Sequence, residues 1–355
     1  MRGAKIGISE VKMQFYNLVI IIVNYNSSED TIACIESIKQ SKTDFSYKVI
    51  VVDNCSTDDS ARRLKENADY DFIASEANGG YCSGNNTGIK YAESKYNFDY
   101  VLILNPDTVI ENFSITNLLR FAYEHKNYGV IGSTLLYYWN RNIVQGVGGG
   151  KIGFTRKLAF DILPPYHHGE SFSAIKDSLP PYIECDSLIG AALLIQKDVF
   201  QTVGYFDETY FLYSDETEFC LRIKKNRTYK LTVVTNSIVY HKEGAKKENG
   251  QGVSQYYIRR NWYYNTRKYF PVMLPYVLLW NLLYISLLKI KKEKARYYYH
   301  ANALRDFLLK RTGKFHGGLY SEENRNNLRE IKQGGVCKYS VIYISQTKLN
   351  IRRCA

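Results

Sequence analysis

Continuous apolar runs alternate with segments of helical periodicity through the first hundred residues. Runs of mainly β-branched and other large apolar side chains lie at residues 18–23, 47–52, 72–73 and 100–104. Such runs are typical of strands buried in a parallel sheet. Between them, apolar residues recur at helical spacing over residues 32–38, and another helix is predicted over residues 60–67. The alternation predicts an α/β fold whose mostly parallel sheet is flanked by helices.

Weaker patterns cover the rest of the first 250 residues. Residues 1–17 show no clear period and are interpreted as a loose leader to a main domain over residues 18–250. A second half of this domain begins near Asp186, with a buried strand predicted over residues 188–195. Loops are predicted where glycine, asparagine or proline cluster, at residues 78–88, 146–150 and 164–181.

The predicted strands end in polar side chains that indicate a ligand site. Because the carboxyl ends of parallel strands meet at one edge of a sheet, these side chains are expected to lie where open α/β sheets bind their ligands. A nucleoside needs hydrogen-bonding groups for its base and an acid or amide for its ribose, and such side chains supply both. The candidates are Asn24, Tyr25, Asp53, Asn54 and Asn105.

The predicted loop over residues 78–88 holds four glycines and three asparagines. A glycine backbone can approach a ligand closely, so Gly80, Asn85 and Asn86 are further candidates for ligand contact. The loop matches neither GxGxxG nor GxxxxGK[ST]. Dinucleotide-binding and P-loop sites therefore lack support.

Asp107 and His241 are candidate metal ligands, since each follows a predicted strand. A carboxylate and an imidazole at one sheet edge can hold a divalent ion, which in turn binds a diphosphate. Each residue also has an ordinary structural alternative. Asp107 lies in an NPD sequence typical of turns and helix caps, and a single histidine is often structural.

Acidic and aromatic residues alternate between residues 204 and 222, and the stretch ends in a helical pattern. Acids among aromatic side chains indicate a folded cleft, where a partly desolvated carboxylate can act as a base or bind a cation. Glu218 and Arg222 are four residues apart, which predicts an ion pair along the helix. Residues 206–208 are predicted to form the turn before it.

Charge divides the chain into two unlike parts. Residues 1–255 hold 27 Lys and Arg against 30 Asp and Glu, whereas residues 256–355 hold 20 against 5. A basic helical region is therefore predicted over residues 251–355. Its apolar run at residues 270–290 barely reaches the roughly 20 residues of a spanning helix, so a helix that lies in the plane of a membrane or re-enters it is expected. A core helix with a solvated basic face is the alternative.

Seven cysteines are scattered along the chain without CxxC spacing, and the first residues do not resemble a signal peptide. Reduced thiols in a cytoplasmic protein are therefore expected.

Seven motifs, in this order, resemble those of the inverting family 2 glycosyltransferases, in particular the bacterial rhamnosyl- and galactofuranosyltransferase-like branch. The resemblance covers about residues 18–245. It rests on IIIVNYNS (20–27), VVDNCSTD (51–58), NGGYCSGNNTGI (78–89), LILNPDTVI (102–110), GAALLI (190–195), GYFDETYFLYSDETEFCLR (204–222) and VYHKEG (239–244).

The resemblance implies a GT-A fold and a nucleotide-sugar donor, with dTDP-rhamnose or UDP-galactofuranose expected ahead of other UDP-sugars. Asp53 matches the acid that contacts the base, and Asn85 and Asn86 match the loop that closes on the donor. The family's Asp-x-Asp motif here begins with Asn105, which leaves Asp107 with His241 to bind Mn²⁺ or Mg²⁺.

The resemblance also implies a catalytic base in the pair Asp215 and Glu216, at the second position, where Glu216 replaces the usual aspartate. Asp215 is the competing candidate. The acceptor is expected to be a glycan or a polyprenyl-diphosphate-linked sugar in cell-surface polysaccharide synthesis. The enzyme would then be peripheral on the inner face of the cell membrane.

Two other functions compete with this one. A nucleotidyltransferase needs a glycine-rich phosphate loop with Lys or Arg after the first strand, and residues 24–30 contain neither basic residue. A non-enzymatic membrane or nucleic-acid-binding protein could use the basic tail alone. The acids at the sheet edge disfavour it, and no nucleic-acid partner is expected.

Overall fold

The computed structural model describes residues 14–66, 69–154, 160–162, 165–242 and 251–315. Strands and helices alternate over most of this length. The strands are β1 (Gln14–Asn24), β2 (Tyr47–Asp53), β3 (Asp71–Ala74), β4 (Tyr96–Leu104), β5 (Thr108–Ile110), β6 (Tyr128–Tyr137), β7 (Asn140–Val147), β8 (Ile152–Phe154), β9 (Phe160–Ile162), β10 (Tyr182–Glu184), β11 (Ala192–Gln196) and β12 (Lys230–His241). The helices are α1 (Ser28–Gln40), α2 (Ser60–Lys65), α3 (Gly80–Lys95), α4 (Ser114–Glu124), α5 (Phe172–Ile175), α6 (Lys197–Val203), α7 (Asp215–Asn226), α8 (Gln251–Tyr269), α9 (Leu274–Ile290) and α10 (Lys294–Leu308).

One central sheet organises the fold, with strand order β10-β12-β6-β11-β4-β1-β2-β3. The four strands β3, β2, β1 and β4 are parallel neighbours, as the apolar runs predict. The second half is mixed, because β11 inserts antiparallel between β4 and β6 while β12 runs parallel to β6. Helices cover both faces, and each face has its own buried apolar cluster.

The predicted strand positions are confirmed with shifted ends. The strand β1 begins at Gln14, so the predicted leader is wrong from that residue onward, and residues 1–13 lie outside the described part. The strand β7 continues through Val147 into the predicted glycine loop. The strand β11 begins only at Ala192, because the four preceding residues cross the edge of the sheet instead of pairing within it.

The segment predicted as a ligand-binding loop is a helix from Gly80 onward. Its glycines allow the helix to lie close against β1. A Cβ atom on Gly84 would lie 2.5 Å from Cγ1 of Val23, and one on Gly88 would lie 2.7 Å from Cγ2 of Ile21. These glycines therefore serve helix–sheet packing, and the prediction of a loop there is wrong.

Three helices follow β12 and pack on the same face of the sheet as α3. Their buried residues, among them Tyr256, Tyr263, Ala303 and Phe307, belong to one apolar cluster with Val19 and Ile21 of β1. The boundary predicted near residue 250 thus lies between elements that share a core. The predicted motif at residues 239–244 is described only up to Lys242, and the tail beyond Phe315 is outside the described part.

The close contact of α3 with β1 predicts the effect of one methyl group. Gly88→Ala raises helix propensity, yet its Cβ would overlap Ile21, so we expect the free energy of unfolding to fall by about 1–3 kcal/mol. Ser94→Ala, on the exposed side of the same helix, should change it by less than about 0.5 kcal/mol. Urea denaturation of both variants measures the difference. Equal stabilities would contradict the packing role.

Candidate active site at the carboxyl edge of the sheet

The ends of β1 and β2 form a buried polar corner. Asn24 and Asp53 are register partners, and Nδ2 of Asn24 donates to Oδ1 of Asp53 at 2.7 Å. The amide and hydroxyl of Ser56 both donate to the Asp53 carboxylate, at 2.9 and 2.6 Å. Asp53 is 1% exposed, so its carboxylate is fixed in one orientation before any ligand arrives.

Two residues flank this corner: Asn54 bonds to the start of α3, and Tyr25 is exposed to solvent. Nδ2 of Asn54 donates to the carbonyl of Gly80 at 2.9 Å and to Oδ1 of Asn78 at 3.1 Å. Tyr25 is 41% exposed at the end of β1, which leaves its ring available to a flat ligand. The corner therefore offers one accessible aromatic ring next to a rigid set of amides and a carboxylate.

Asn85 and Asn86 lie inside α3 and are buried. Nδ2 of Asn86 donates to the carbonyl of Phe206 at 2.9 Å and to Oε1 of Glu208 at 2.8 Å, while its Oδ1 accepts from the Phe206 amide at 3.1 Å. Asn86 thus holds the loop before α7 against the first half of the sheet. Gly80 has φ +84°, and a Cβ there would lie 2.0 Å from the carbonyl oxygen of Phe211 in the same loop.

Asp107 and His241 meet across the end of the sheet. Oδ1 of Asp107 lies 3.2 Å from Nε2 of His241, and Nδ1 of His241 is 3.0 Å from Oε1 of Gln145. Nδ1 can donate to this amide oxygen, because an amide oxygen only accepts, and Nε2 then faces the carboxylate. Burial raises the pKa of Asp107, but the hydrogen bond and the charge of His241 outweigh burial and leave that pKa below its ordinary value.

This pair fits two neighbouring ligands of a divalent ion. With bonds of about 2.1 Å, adjacent ligands of an octahedral ion lie about 3 Å apart, which matches the separation of Asp107 and His241. Among the described residues no three His, Cys, Asp or Glu side chains converge, so Asp107 and His241 together would supply two of the ligands of such an ion. The remaining positions would be left to a diphosphate and water.

Two carboxylates begin α7. Asp215 is 4% exposed, and Sγ of Cys82 lies 3.6 Å from its Oδ2. Glu216 is half-buried beside it. Burial raises the pKa of Glu216 well above its ordinary value, and the charge of Asp215 and a hydrogen bond with Asp215 raise that pKa further. The two carboxyl groups therefore share a proton more readily than either exposed acid would.

A short segment before β11 joins the carboxylate pair to the rest of the sheet edge. A Cβ on Gly190 would lie 3.5 Å from Cβ of Glu216 and 3.3 Å from the hydroxyl of Tyr81. That hydroxyl donates to the Gly190 carbonyl at 2.8 Å. The next carbonyl along the chain, that of Ala191, accepts from the backbone N–H of Asn105 at 2.9 Å. Gly190 and Ala191 thus connect Glu216 on one side with Asn105 on the other.

Sequence reasoning missed several residues that hold the site together. The ion pair of Glu218 with Arg222 is confirmed at 2.8 Å, but Lys268 and Tyr269 of α8 also donate to the Glu218 carboxylate, at 2.8 and 2.6 Å. Gln145, which fixes the His241 ring, carries no sequence signal either. Each of these partners lies far along the chain from the residue it contacts.

Comparisons with known proteins identify relatives of this chain by sequence and by fold. The family model described as "Glycosyl transferase family 2" matches residues 19–178. Two relatives are the low-salt glycan biosynthesis hexosyltransferase Agl10 of Haloferax volcanii and the rhamnosyltransferase WbbL of Escherichia coli K12. Agl10 is 32% identical over a region that covers 59% of this chain and 62% of Agl10. WbbL is 26% identical over a region that covers 58% of this chain and 75% of WbbL. The aligned region therefore spans less than two thirds of the archaeal relative.

One solved structure shares the fold. The crystal structure of GalNAc-T7 with UDP, GalNAc and Mn²⁺ superposes with a TM-score of 0.52 at 14% identity, covering 64% of this chain and 44% of that one. These findings confirm the family and the GT-A fold that the motifs imply. Residues 19–178 of this chain therefore match glycosyl transferase family 2, within a domain that has the GT-A fold.

Proposed function

We propose that the protein is an inverting glycosyltransferase that moves a sugar from a nucleoside-diphosphate donor to a glycan or lipid-linked acceptor. One observation carries the proposal. A carboxylate–imidazole pair suited to a metal-bound diphosphate and a carboxyl pair with raised pKa lie at the same sheet edge, joined through Asn105, Ala191 and Gly190. Rhamnose or galactofuranose is the proposed sugar, in cell-surface polysaccharide synthesis.

The donor would lie along the ends of β1, β2 and β4. The exposed ring of Tyr25 would stack on the base, while the rigid corner of Asn24, Asp53 and Asn54 would shape the nucleoside pocket. Asn105, half-buried at the end of β4, would face the ribose or the sugar. Asn86, and Asn85 beside it, would support the nucleoside pocket without touching the donor. Asn86 would do so because it bonds α3 to the loop before α7, the helix that begins with Asp215 and Glu216.

Asp107 and His241 would hold Mn²⁺ or Mg²⁺, which when bound neutralises charge on the departing nucleoside diphosphate. Glu216 would remove the proton from the acceptor hydroxyl as that oxygen attacks the anomeric carbon. The raised pKa of Glu216 makes its carboxylate a stronger base than an exposed glutamate. Asp215, buried and hydrogen-bonded to Glu216, would tune that pKa.

The exposed side of α9 would hold the enzyme on the inner face of the membrane, next to a lipid-linked acceptor. Pro271–Ile290 is long and apolar enough to span a membrane, with 22% of it buried. One stripe of α9, Val277, Asn281, Ile285 and Leu288, packs on the protein. The opposite side exposes Leu279, Trp280, Leu282, Leu283 and Ile290. A helix docked along its length on the protein would lie in the membrane plane, with the lysines at its end near anionic headgroups.

The two members of the carboxyl pair can be distinguished by substitution. Glu216→Gln should lower kcat for sugar transfer by about 10³-fold and leave UDP affinity within about twofold, because only proton removal is lost. Asp215→Asn should remain active and move the acid limb of the kcat/KM profile to lower pH, since it removes the charge that raises the pKa of Glu216. Turnover in Glu216→Gln together with an inactive Asp215→Asn would assign the base to Asp215.

Metal-dependent binding of the nucleotide can be measured by thermal shift. UDP and dTDP, each with and without Mn²⁺, should raise Tm more in the presence of the ion. Asp107→Asn should remove most of the ion-dependent part. Asp198→Asn is the matched control, because Asp198 is exposed beside Phe98 and Tyr100 at the start of β4, at the opposite edge of the sheet. A full ion-dependent shift in Asp107→Asn would exclude Asp107 as a ligand.

Membrane docking can be tested on the exposed leucines of α9. Leu279→Asp with Leu283→Asp should abolish co-sedimentation with vesicles of phosphatidylethanolamine and phosphatidylglycerol, without unfolding the protein, since these side chains are 59% and 58% exposed. Phe113→Asp, a similar change at a 48% exposed residue that caps α4, should leave binding unchanged. Undiminished binding of the double variant would contradict docking through α9.

A further inference from the structure

One stripe of α8 contacts the stretch that leads into and begins α7. Asn261, Asn265, Lys268 and Tyr269 are spaced four, three and one residues apart, so they share one side of the helix. Lys268 and Tyr269 donate to Glu218 in the first turn of α7. The two asparagines are 0% and 2% exposed and contact the backbone just before it.

The asparagine amides donate to three successive carbonyls. Nδ2 of Asn261 donates to the carbonyls of Leu212 and Tyr213 at 2.9 and 2.7 Å, and Nδ2 of Asn265 donates to that of Ser214 at 3.3 Å. Oδ1 of Asn265 accepts from the hydroxyl of Tyr210 at 2.7 Å. Every carbonyl between Phe211 and Asp215 therefore has a partner on α8.

This backbone adopts a conformation that it would not keep without support. Tyr213 and Ser214 have φ of +64° and +60°, and two successive non-glycine residues in the left-handed region are unfavourable. The Ser214 side chain makes no capping hydrogen bond to α7. The strained pair comes directly before Asp215 and Glu216, so its conformation sets where the two carboxyl groups lie.

A buried arginine orients the first asparagine. Nε of Arg260 donates to Oδ1 of Asn261 at 3.2 Å, which leaves the amide NH₂ to face the loop. Arg260 is itself 0% exposed, donates to the carbonyl of Gly313 at 2.8 Å, and lies 5.3 Å from the rings of Tyr256 and Tyr257. A guanidinium held this firmly fixes the amide of Asn261.

We propose that α8 is a working part of the active site, in which Asn261 and Asn265 are positioning residues for the Asp215–Glu216 pair. This inference rests on the proposed function, which gives the pair its chemistry. The helix α8, with which the basic region begins, thus holds residues 212–214, the loop directly before the carboxyl pair. Loss of the asparagine amides would let the strained pair relax and displace Glu216 from the acceptor.

The test uses the full-length protein and three variants. Asn261→Ala removes the two bonds to Leu212 and Tyr213. Asn302→Ala is the matched control, because Asn302 is also buried and, within the part of the chain that the structure describes, its side chain bonds only to the Tyr298 carbonyl in α10. Asn261→Ala with Ser214→Gly adds a glycine that tolerates positive φ without strain. Three properties are measured: sugar transfer, UDP affinity by calorimetry with Mn²⁺, and amide hydrogen exchange of residues 210–218.

Asn261→Ala should lower kcat by about 10- to 100-fold, leave UDP affinity within about twofold, and speed exchange over residues 210–218. Ser214→Gly should restore kcat at least about threefold in that background, and Asn302→Ala should change none of the three. Unchanged exchange, or faster exchange with unchanged kcat, would overturn the inference. A wild-type protein that neither binds UDP nor transfers sugar would refute the proposed function, while its exchange data would still decide whether Asn261 holds the loop.

Discussion

Two neighbouring carboxyl groups in a desolvated site cannot both ionise without a large cost in free energy, and the loop around α7 is built about this constraint. Asp215 and Glu216 are held together where burial and mutual repulsion raise the pKa of Glu216. The amide groups at the start of α7 partly offset the charge that remains. Keeping the pair in place requires support from outside the loop, which comes from Asn86 on one side and from α8 on the other.

The mixed topology of the sheet explains how distant segments meet at one edge. Parallel β1, β2 and β4 bring their carboxyl ends together, which builds the corner of Asn24 and Asp53 and places Asn105 beside it. Antiparallel β11 enters from that same edge, so the segment at Gly190 crosses it and contacts Glu216. The strands β12 and β5 then bring His241 to Asp107. The two halves of the domain are thus parts of one continuous sheet.

Local patterns predicted the first half of the fold and the strand ends at which the polar candidate residues lie. Buried parallel strands are recognisable in a sequence as apolar runs. The predicted ends of β1, β2 and β4 therefore lie within a few residues of the observed ones. The helix α3 was missed because its glycines lower helix propensity, and only the contact of Gly84 and Gly88 with β1 explains them. The stripe at Asn261 and Asn265 was missed as well, since its partners lie about fifty residues away and its neighbours suggest only a basic surface.

In the proposed reaction one displacement, with Glu216 as the base, transfers the sugar. The stereochemistry of the first product distinguishes this reaction from a two-step transfer. Proton NMR of the anomeric signal, recorded during the first turnovers with dTDP-rhamnose, UDP-galactofuranose or a UDP-hexose as donor, reports the configuration of the new bond. A single in-line attack predicts an anomeric configuration opposite to that of the donor. Retention of the donor's configuration would contradict the account, because it requires a second step that this arrangement of carboxylates does not provide.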